Sequence, residues 1–197
     1  LTYGLFVLTS KCFGKDNGCI VNTVSQVTAT PNRISVTVNK ANITHNMIVE
    51  SGEFNVSILS EKSKFSTYQH WGMQSGKDVD KLESVKFNRS SNGLVYITEE
   101  ANAFISAKVV QKIDLGTHTL FIADVTDGEI LNNDESVTYS FYHKNIKTAF
   151  SAPKKDEKTN KNGFICVICG YIYEGENIPS DFICPICKHP ASDFEPL

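Results

Sequence analysis

Apolar and polar side chains alternate with a period of two along much of the chain up to about residue 150, the spacing of strands that bury one face. The clearest case is Arg33 to Asn39, where Ile34, Val36 and Val38 stand against Arg33, Ser35 and Thr37. Phe54 to Leu59 repeats the pattern with Phe54, Val56 and Ile58. Further strands are predicted over Tyr3–Thr9, Gly18–Ser25, Val85–Phe87, Leu94–Ile97, Phe104–Ile113 and His118–Val125. Pro31-Asn32 marks a turn, and Asp127-Gly128 carries the signature of a tight hairpin within Val125–Ile130. Thr44 reads as the N-cap of a short helix through Ser51, ended by Gly52, and Lys62–Trp71 reads as a second helix. Many strands, short turns and short helices argue for a mainly β, antiparallel barrel.

The alternation stops at Ser151. Residues 151–163 contain Pro153, end in Gly163 and hold no large apolar side chain, so they read as a flexible linker. A frayed helix end is the alternative. The reading divides the chain into a domain at 1–150, a linker at 151–163 and a small domain at 164–197. Thirteen flexible residues have a root-mean-square reach of ~20 Å and a limit near ~45 Å.

Charge sharpens the division. The net charge is −3, while the last 34 residues carry one basic and five acidic side chains. Nothing is basic enough to track a phosphate backbone, so no nucleic-acid partner is expected. No apolar run approaches the ~18 residues of a membrane span, and Leu1-Thr2-Tyr3-Gly4 lacks the features of a signal peptide. A cytoplasmic protein without a membrane partner is the expectation, with Leu1 in place of Met suggesting a start further upstream.

Four of the six cysteines fall in the last domain. Cys166-Val-Ile-Cys169 and Cys184-Pro-Ile-Cys187 are separated by 14 residues, and each pair can form a knuckle that aims two thiolates at one point. A thioredoxin-type pair would need one such motif on a βαβ frame, which the pattern lacks. A 34-residue segment cannot bury a sufficient core, so a bound metal is expected to supply much of its folding energy. Four sulfurs suit zinc and iron alike. Phe164, Tyr171, Tyr173, Phe182 and Phe194 favour iron, because rings that exclude water tune an iron–thiolate centre. A structural zinc ribbon is the alternative. Cys12 and Cys19 flank a turn and read as buried free thiols in preference to a disulfide.

Two polar segments interrupt the strands: Val21 to Thr28, and Asn39-Lys40-Ala41-Asn42-Ile43-Thr44 at a helix start. Free backbone N–H groups, amide and hydroxyl donors and one lysine make the second a candidate anion site. Plain capping and turn chemistry would explain the same residues.

The strings NTVSQVTATPNRISVTVNKANITHNMI, SGEFNVSIL, WGMQSGKDVDKL, GTHTLFIADV and VTYSFYHKNIK resemble, in order and spacing, the flavin reductase-like family with its FMN-binding split barrel. The resemblance implies a homodimer with one FMN per subunit and no Rossmann fold, and no G-x-G-x-x-G occurs in the chain. It places Asn22, Thr23, Val24, Ser25 and Gln26 along the isoalloxazine ring, and Asn39, Lys40, Asn42 and Thr44 at the ribityl and phosphate end. It places His118 at a catalytic position on the nicotinamide side. Here that histidine follows Gly116-Thr117, without the family's acidic neighbour, and an inward-facing structural histidine is the alternative. His45, His70 and His143 read as surface or capping residues, and Trp71 as core or dimer interface in preference to a flavin stacker.

The tail string, Phe-x-Cys-x-x-Cys-Gly-Tyr-x-Tyr followed by Phe-x-Cys-Pro-x-Cys and Phe-Glu-Pro, resembles rubredoxin. Its inter-knuckle loop is short, as in rubrerythrin tails, and Lys188 replaces the usual glycine of the second knuckle. The two halves together resemble the high-molecular-weight rubredoxins of anaerobic bacteria. That resemblance implies electron flow from NADH, with NADPH less favoured, to FMN, to one iron, and on to a flavodiiron oxygen or nitric oxide reductase. Glu174, Glu176, Asp181, Asp193 and Glu195 would suit docking to a basic patch, or serve solubility alone. Two other readings stay open: a passive carrier not itself reduced by NADH, and an FMN module with a zinc ribbon.

Overall fold

The computed structural model describes residues 2–147, 163–185, 187 and 189–197. Seven strands form one antiparallel sheet: β1 (Phe6–Cys12), β2 (Lys15–Val21), β3 (Ser25–Ala29), β4 (Asn32–Asn39), β5 (Glu53–Leu59) and, after a separate pair β6 (Phe87–Arg89) and β7 (Val95–Ile97), β8 (Ala101–Asp114) and β9 (His118–Ile130). Their order across the sheet is β2-β1-β5-β8-β9-β4-β3. Helix α1 (Ile43–Ser51) links β4 to β5. Helices α2 (Phe65–Tyr68) and α3 (Tyr139–Phe141) are single turns that run on as π-helical turns over Gln69–Met73 and Tyr142–Lys147. The tail forms its own three-stranded sheet, order β11-β10-β12, from β10 (Gly163–Cys166), β11 (Ile172–Glu174) and β12 (Phe194–Pro196). No helix among the described residues is long and apolar enough to cross a membrane.

The mainly β expectation holds, and β4 alternates as its sequence predicts: Ile34, Val36 and Val38 are buried and Ser35 and Thr37 half-buried. β1 behaves differently. Val7, Leu8, Thr9 and Ser10 are all buried, because the sheet there is covered on both faces. Leu8 joins the core under α1 with Val36, Ile48, Phe54 and Phe121. Leu5 and Val7 join a second core with Phe65, Tyr68, Trp71 and Tyr142 from the π-helical segments.

Several boundaries are corrected. The run Gly18–Ser25 is two strands, with β2 leaving the ladder at Val21 and β3 beginning at Ser25. The helix expected to be capped by Thr44 begins two residues earlier, at Ile43, and Asn42 holds the N-cap position with extended backbone and no capping side-chain bond. Lys62–Trp71 is helical only from Phe65. The Asp127-Gly128 hairpin does not form: β9 runs straight through it, paired to β8 from Asp114↔Thr119 to Ala103↔Ile130. Gly128 serves close approach instead, since a Cβ there would lie 2.9 Å from the Phe104 carbonyl oxygen. The turn of this pair is at Gly116, whose φ is +83°. Gly163, read as the last linker residue, is buried in β10, and the linker at 151–162 lies outside the described residues, as does Lys188.

Gly18 fixes how the second core meets the sheet. An added Cβ would lie 2.6 Å from the Trp71 ring and 2.9 Å from the Leu8 carbonyl oxygen. Neither group can retreat, one being core and the other backbone. Gly18→Ala is expected to destabilise the fold by about 1–3 kcal/mol, as overpacking does. Urea denaturation should show a lower midpoint at unchanged slope.

Candidate metal centre and polar concavity

The knuckles converge as the spacing requires. The four Sγ atoms of Cys166, Cys169, Cys184 and Cys187 lie within 4.8 Å of one another, and all four residues are buried. Cys166 faces Cys187 and Cys169 faces Cys184 at 3.5 Å each. A tetrahedron with metal–sulfur bonds of about 2.3 Å has edges of about 3.8 Å, so the cage fits one tetrahedral ion. Gly170 turns the first knuckle at φ +80°, with its N–H on the Cys166 carbonyl at 2.8 Å. Backbone N–H groups of Tyr171 and His189 donate to the sulfurs of Cys169 and Cys187.

Burial pushes the Cys169 thiol up to about 12 and raises Cys187 as well. Thiols so placed do not ionise alone, and a bound cation is what makes the thiolates affordable. The rings close the cage from water: Tyr173 and Phe182 meet edge-on at 4.7 Å, and Phe182 meets Phe194 at 5.5 Å. Phe164, Tyr171 and Tyr173 pack on the same cluster. Backbone donors on the sulfurs within an aromatic shell are the arrangement that tunes an iron–thiolate centre.

The second site lies where β2, the start of α1 and the Trp71 segment meet. Strand periodicity points Asn17 and Cys19 to one face, toward α1. There Asn17 Nδ2 donates to the buried Thr44 Oγ1 at 3.1 Å, and the Cys19 thiol also bonds Thr44. These residues, with Asn42 and Gly76, line a concavity of about 250 Å³. Asn17 Oδ1 is buried there without a partner, so it awaits a donor such as a ligand hydroxyl. The uncapped N-terminus of α1 adds free N–H groups. A polyhydroxylated chain ending in phosphate fits this donor and acceptor set.

The predicted flavin residues divide. Asn42 and Thr44 line the polar concavity, whereas Val24, Ser25 and Gln26 line a separate one of about 650 Å³ with Phe6, Ile34 and Phe104. Thr23 is tied to β4, donating to the Thr37 carbonyl at 2.7 Å, and Asn22 lies in the link between β2 and β3. Asn39 pairs with His118 across β4 and β9, and its Oδ1 accepts from the Ala41 N–H at 2.9 Å. Lys40 donates to exposed Asp114 at 2.7 Å. Lys40 and the Gly116 N–H together hold the Asp114 carboxyl below the usual carboxylate range. The turn before His118 therefore has a carboxylate, but it binds Lys40. His118 is half-buried, its Nδ1 2.8 Å from Thr117 Oγ1.

His45 is a correction. It is buried, not on the surface, with Nε2 2.8 Å from Thr119 Oγ1 and its ring beside Phe121. His70 and His143 are half-buried. Trp71 is core, 2% exposed. Cys12 and Cys19 are free thiols, but only Cys19 is buried.

Sequence reading missed Asn17 and Lys81, and took Cys19 as a buried free thiol without placing it at this site. Asn17 had a weak signal, a polar residue at an inward strand position. Lys81 had none: it is 1% exposed, its ammonium donating to the His70 carbonyl oxygen close to Cys19. Burial pushes Lys81 down to about 8 and Cys19 up to about 11.

Residues 1–149 match the flavin reductase like domain family and residues 164–195 the rubrerythrin, rubredoxin-like domain family. The high molecular weight rubredoxin of Moorella thermoacetica is 34% identical over 221 aligned residues, spanning 100% of this chain and 96% of its own. The ferric-chelate reductase (NAD(P)H) of Archaeoglobus fulgidus is 39% identical over 143 residues, spanning 73% of this chain and 85% of its own. Among solved structures, the flavin reductase PheA2 superposes with a TM-score of 0.60 at 28% identity, over 70% of this chain and 85% of that one.

Two outcomes are expected. Cys184→Ser should abolish stoichiometric metal binding and amide-exchange protection in β10–β12, while protection of the seven-stranded sheet persists. For Lys81, whose ordinary value is 10.5, the unfolded chain binds more protons than the folded one above about 8. Stability should therefore rise with pH from about 8, until Cys19, raised from 9.0, begins to oppose it. Denaturant titrations of Lys81→Met should lack that rise.

Proposed function

We propose, from the premise that the chain belongs to the flavin reductase-like family and along its whole length to the high molecular weight rubredoxins, that it carries electrons from NADH through FMN to one sulfur-ligated iron and then to a flavodiiron-type reductase. In its coarser part the assignment is plain: the chain is an NAD(P)H-dependent flavin oxidoreductase with a rubredoxin iron site, an electron-transfer protein of two centres. The observation that carries it is the buried four-cysteine cage on the same chain as the flavin reductase-like sheet. A flavin accepts a hydride and can release its electrons singly; a single iron takes one at a time. Joined, they convert two-electron into one-electron chemistry.

Within this reading the polar concavity holds the ribityl and phosphate end. Asn42, Thr44 and the α1 N-terminus face the phosphate, Asn17 accepts from a ribityl hydroxyl, and Lys81 adds positive charge behind Cys19. Asn39 and Lys40 lie at the adjoining end of β4. His118 shares that end and is assigned to the nicotinamide side. The ring is assigned to Asn22–Gln26, beside the apolar concavity, where a second chain completes the site. What supports a homodimer there is that all five β3 residues are exposed and Ile130 is 76% exposed. For the acceptor, the support is the acidic tail: Glu174, Glu176, Asp181 and Glu195 are all exposed, and a basic surface would complement them.

Stopped-flow mixing of the full chain with NADH, followed at flavin and ferric-thiolate wavelengths, tests the reading. Flavin bleaching should precede loss of the red ferric colour, with about one FMN and one iron per chain. A colourless zinc protein, or iron that stays ferric after the flavin is reduced, would falsify it.

A further inference from the structure

The polar concavity of the larger domain has one lining residue from the tail. Besides β2, the start of α1 and the segment Trp71–Gly76, its lining includes His189. The tail is seated at that edge through Met73, which ends the π-helical turn, lines the concavity and packs on the four-cysteine cluster. Backbone bonds fix His189 to the cage. Its N–H donates to the Cys187 sulfur, and its carbonyl oxygen accepts from the Cys184 N–H at 2.8 Å. Its Nδ1 lies 3.1 Å from the Cys187 carbonyl oxygen, which can only accept. In the neutral ring this puts the proton on Nδ1 and leaves Nε2 an acceptor. Asn17 Oδ1, buried and without a partner, is a second acceptor in the same concavity.

We infer that the metal-loaded tail is a wall of the flavin site: His189 completes the ribityl and phosphate end, so flavin binding and metal binding reinforce each other. The inference rests on the reading that puts that end in this concavity; it concerns binding alone and does not depend on where the ring lies. The metal is what places His189. A 34-residue tail has too small a core to hold its knuckles without an ion, and a histidine on an unfolded tail has no fixed position. A flavin meeting the metal-free chain finds the concavity open to water on the tail side, with one partner fewer for its hydroxyls. With the cage filled the wall stands before the flavin arrives, and no ordering cost falls on the binding step. Linkage makes the effect reciprocal: whatever factor the metal adds to flavin affinity, the flavin adds to metal affinity.

Fluorescence titration of the full chain, freed of flavin, measures this directly. With zinc in the cage, FMN should bind about fivefold or more tighter than to the same chain stripped of metal under reducing conditions. Chelator competition should show FMN strengthening zinc retention by the same factor. Equal FMN affinities with and without zinc overturn the inference. His189→Ala keeps both backbone bonds to the cage, so zinc should stay at one per chain while FMN affinity falls toward the metal-free value. Wild-type FMN affinity in that variant, with zinc in place, overturns the wall. Asn17→Ala probes the underlying reading from the sheet side, its fold checked by amide-exchange protection of the seven-stranded sheet. It should weaken FMN binding with zinc present or absent. An unchanged affinity there overturns the placement of the ribityl end and the inference with it. If Asn17→Ala weakens FMN while His189→Ala and metal removal do not, the placement stands and only the wall is overturned.

Discussion

The requirement that β1 be covered on both faces organises the larger domain. Its consecutive buried residues, Val7 to Ser10, cannot be satisfied by a sheet with one wet side. One cover is α1, whose Ile48 meets Leu8 and Phe54. The other is the Trp71 segment, held close because Gly18 has no side chain. Both covers reach the β2 edge, and the polar concavity is lined by residues of each. Its lining reflects that origin: Asn17 and Cys19 from the strand, Asn42 and Thr44 from one cover, Gly72 and Gly76 from the other.

The tail depends on a different force. Three strands of three or four residues bury little, and among the described residues Phe194 is its one buried apolar side chain besides the cysteines. Burial makes the Cys169 and Cys187 thiols resist ionisation, yet a metal needs them as thiolates. The ion resolves both problems, supplying charge compensation and cross-linking the knuckles. The larger domain needs no such help. Separate sources of stability let each site keep its own environment, polar and partly open in the concavity of the larger domain, closed and aromatic at the cysteine cage.

The errors of sequence reading share one cause. Asp127-Gly128 has the local chemistry of a hairpin, but pairing along all of β8 outweighs a two-residue preference, and the glycine is needed for approach to Phe104. His45 looked like a surface or capping residue; the fold buries it against Phe121 and Thr119. Lys81 carried no local sign of its burial. In each case the deciding neighbour is far away in sequence.

What the chain determined by itself was whatever is written in short range or in fixed spacing. The period-two strands and the tetrahedral cage are of this kind, because a strand's alternation and a knuckle's reach involve only a few consecutive residues. The order of its polar segments was enough for family resemblance. Only the tertiary structure decided which polar residues share a cavity. It set Asn42 and Thr44 beside Asn17 and apart from Val24, Ser25 and Gln26, paired Lys40 with Asp114, and buried Lys81 near Cys19. Burial and cross-strand register are properties of the packed sheet, and no local pattern encodes which distant side chain will desolvate a lysine or leave an amide oxygen without a partner.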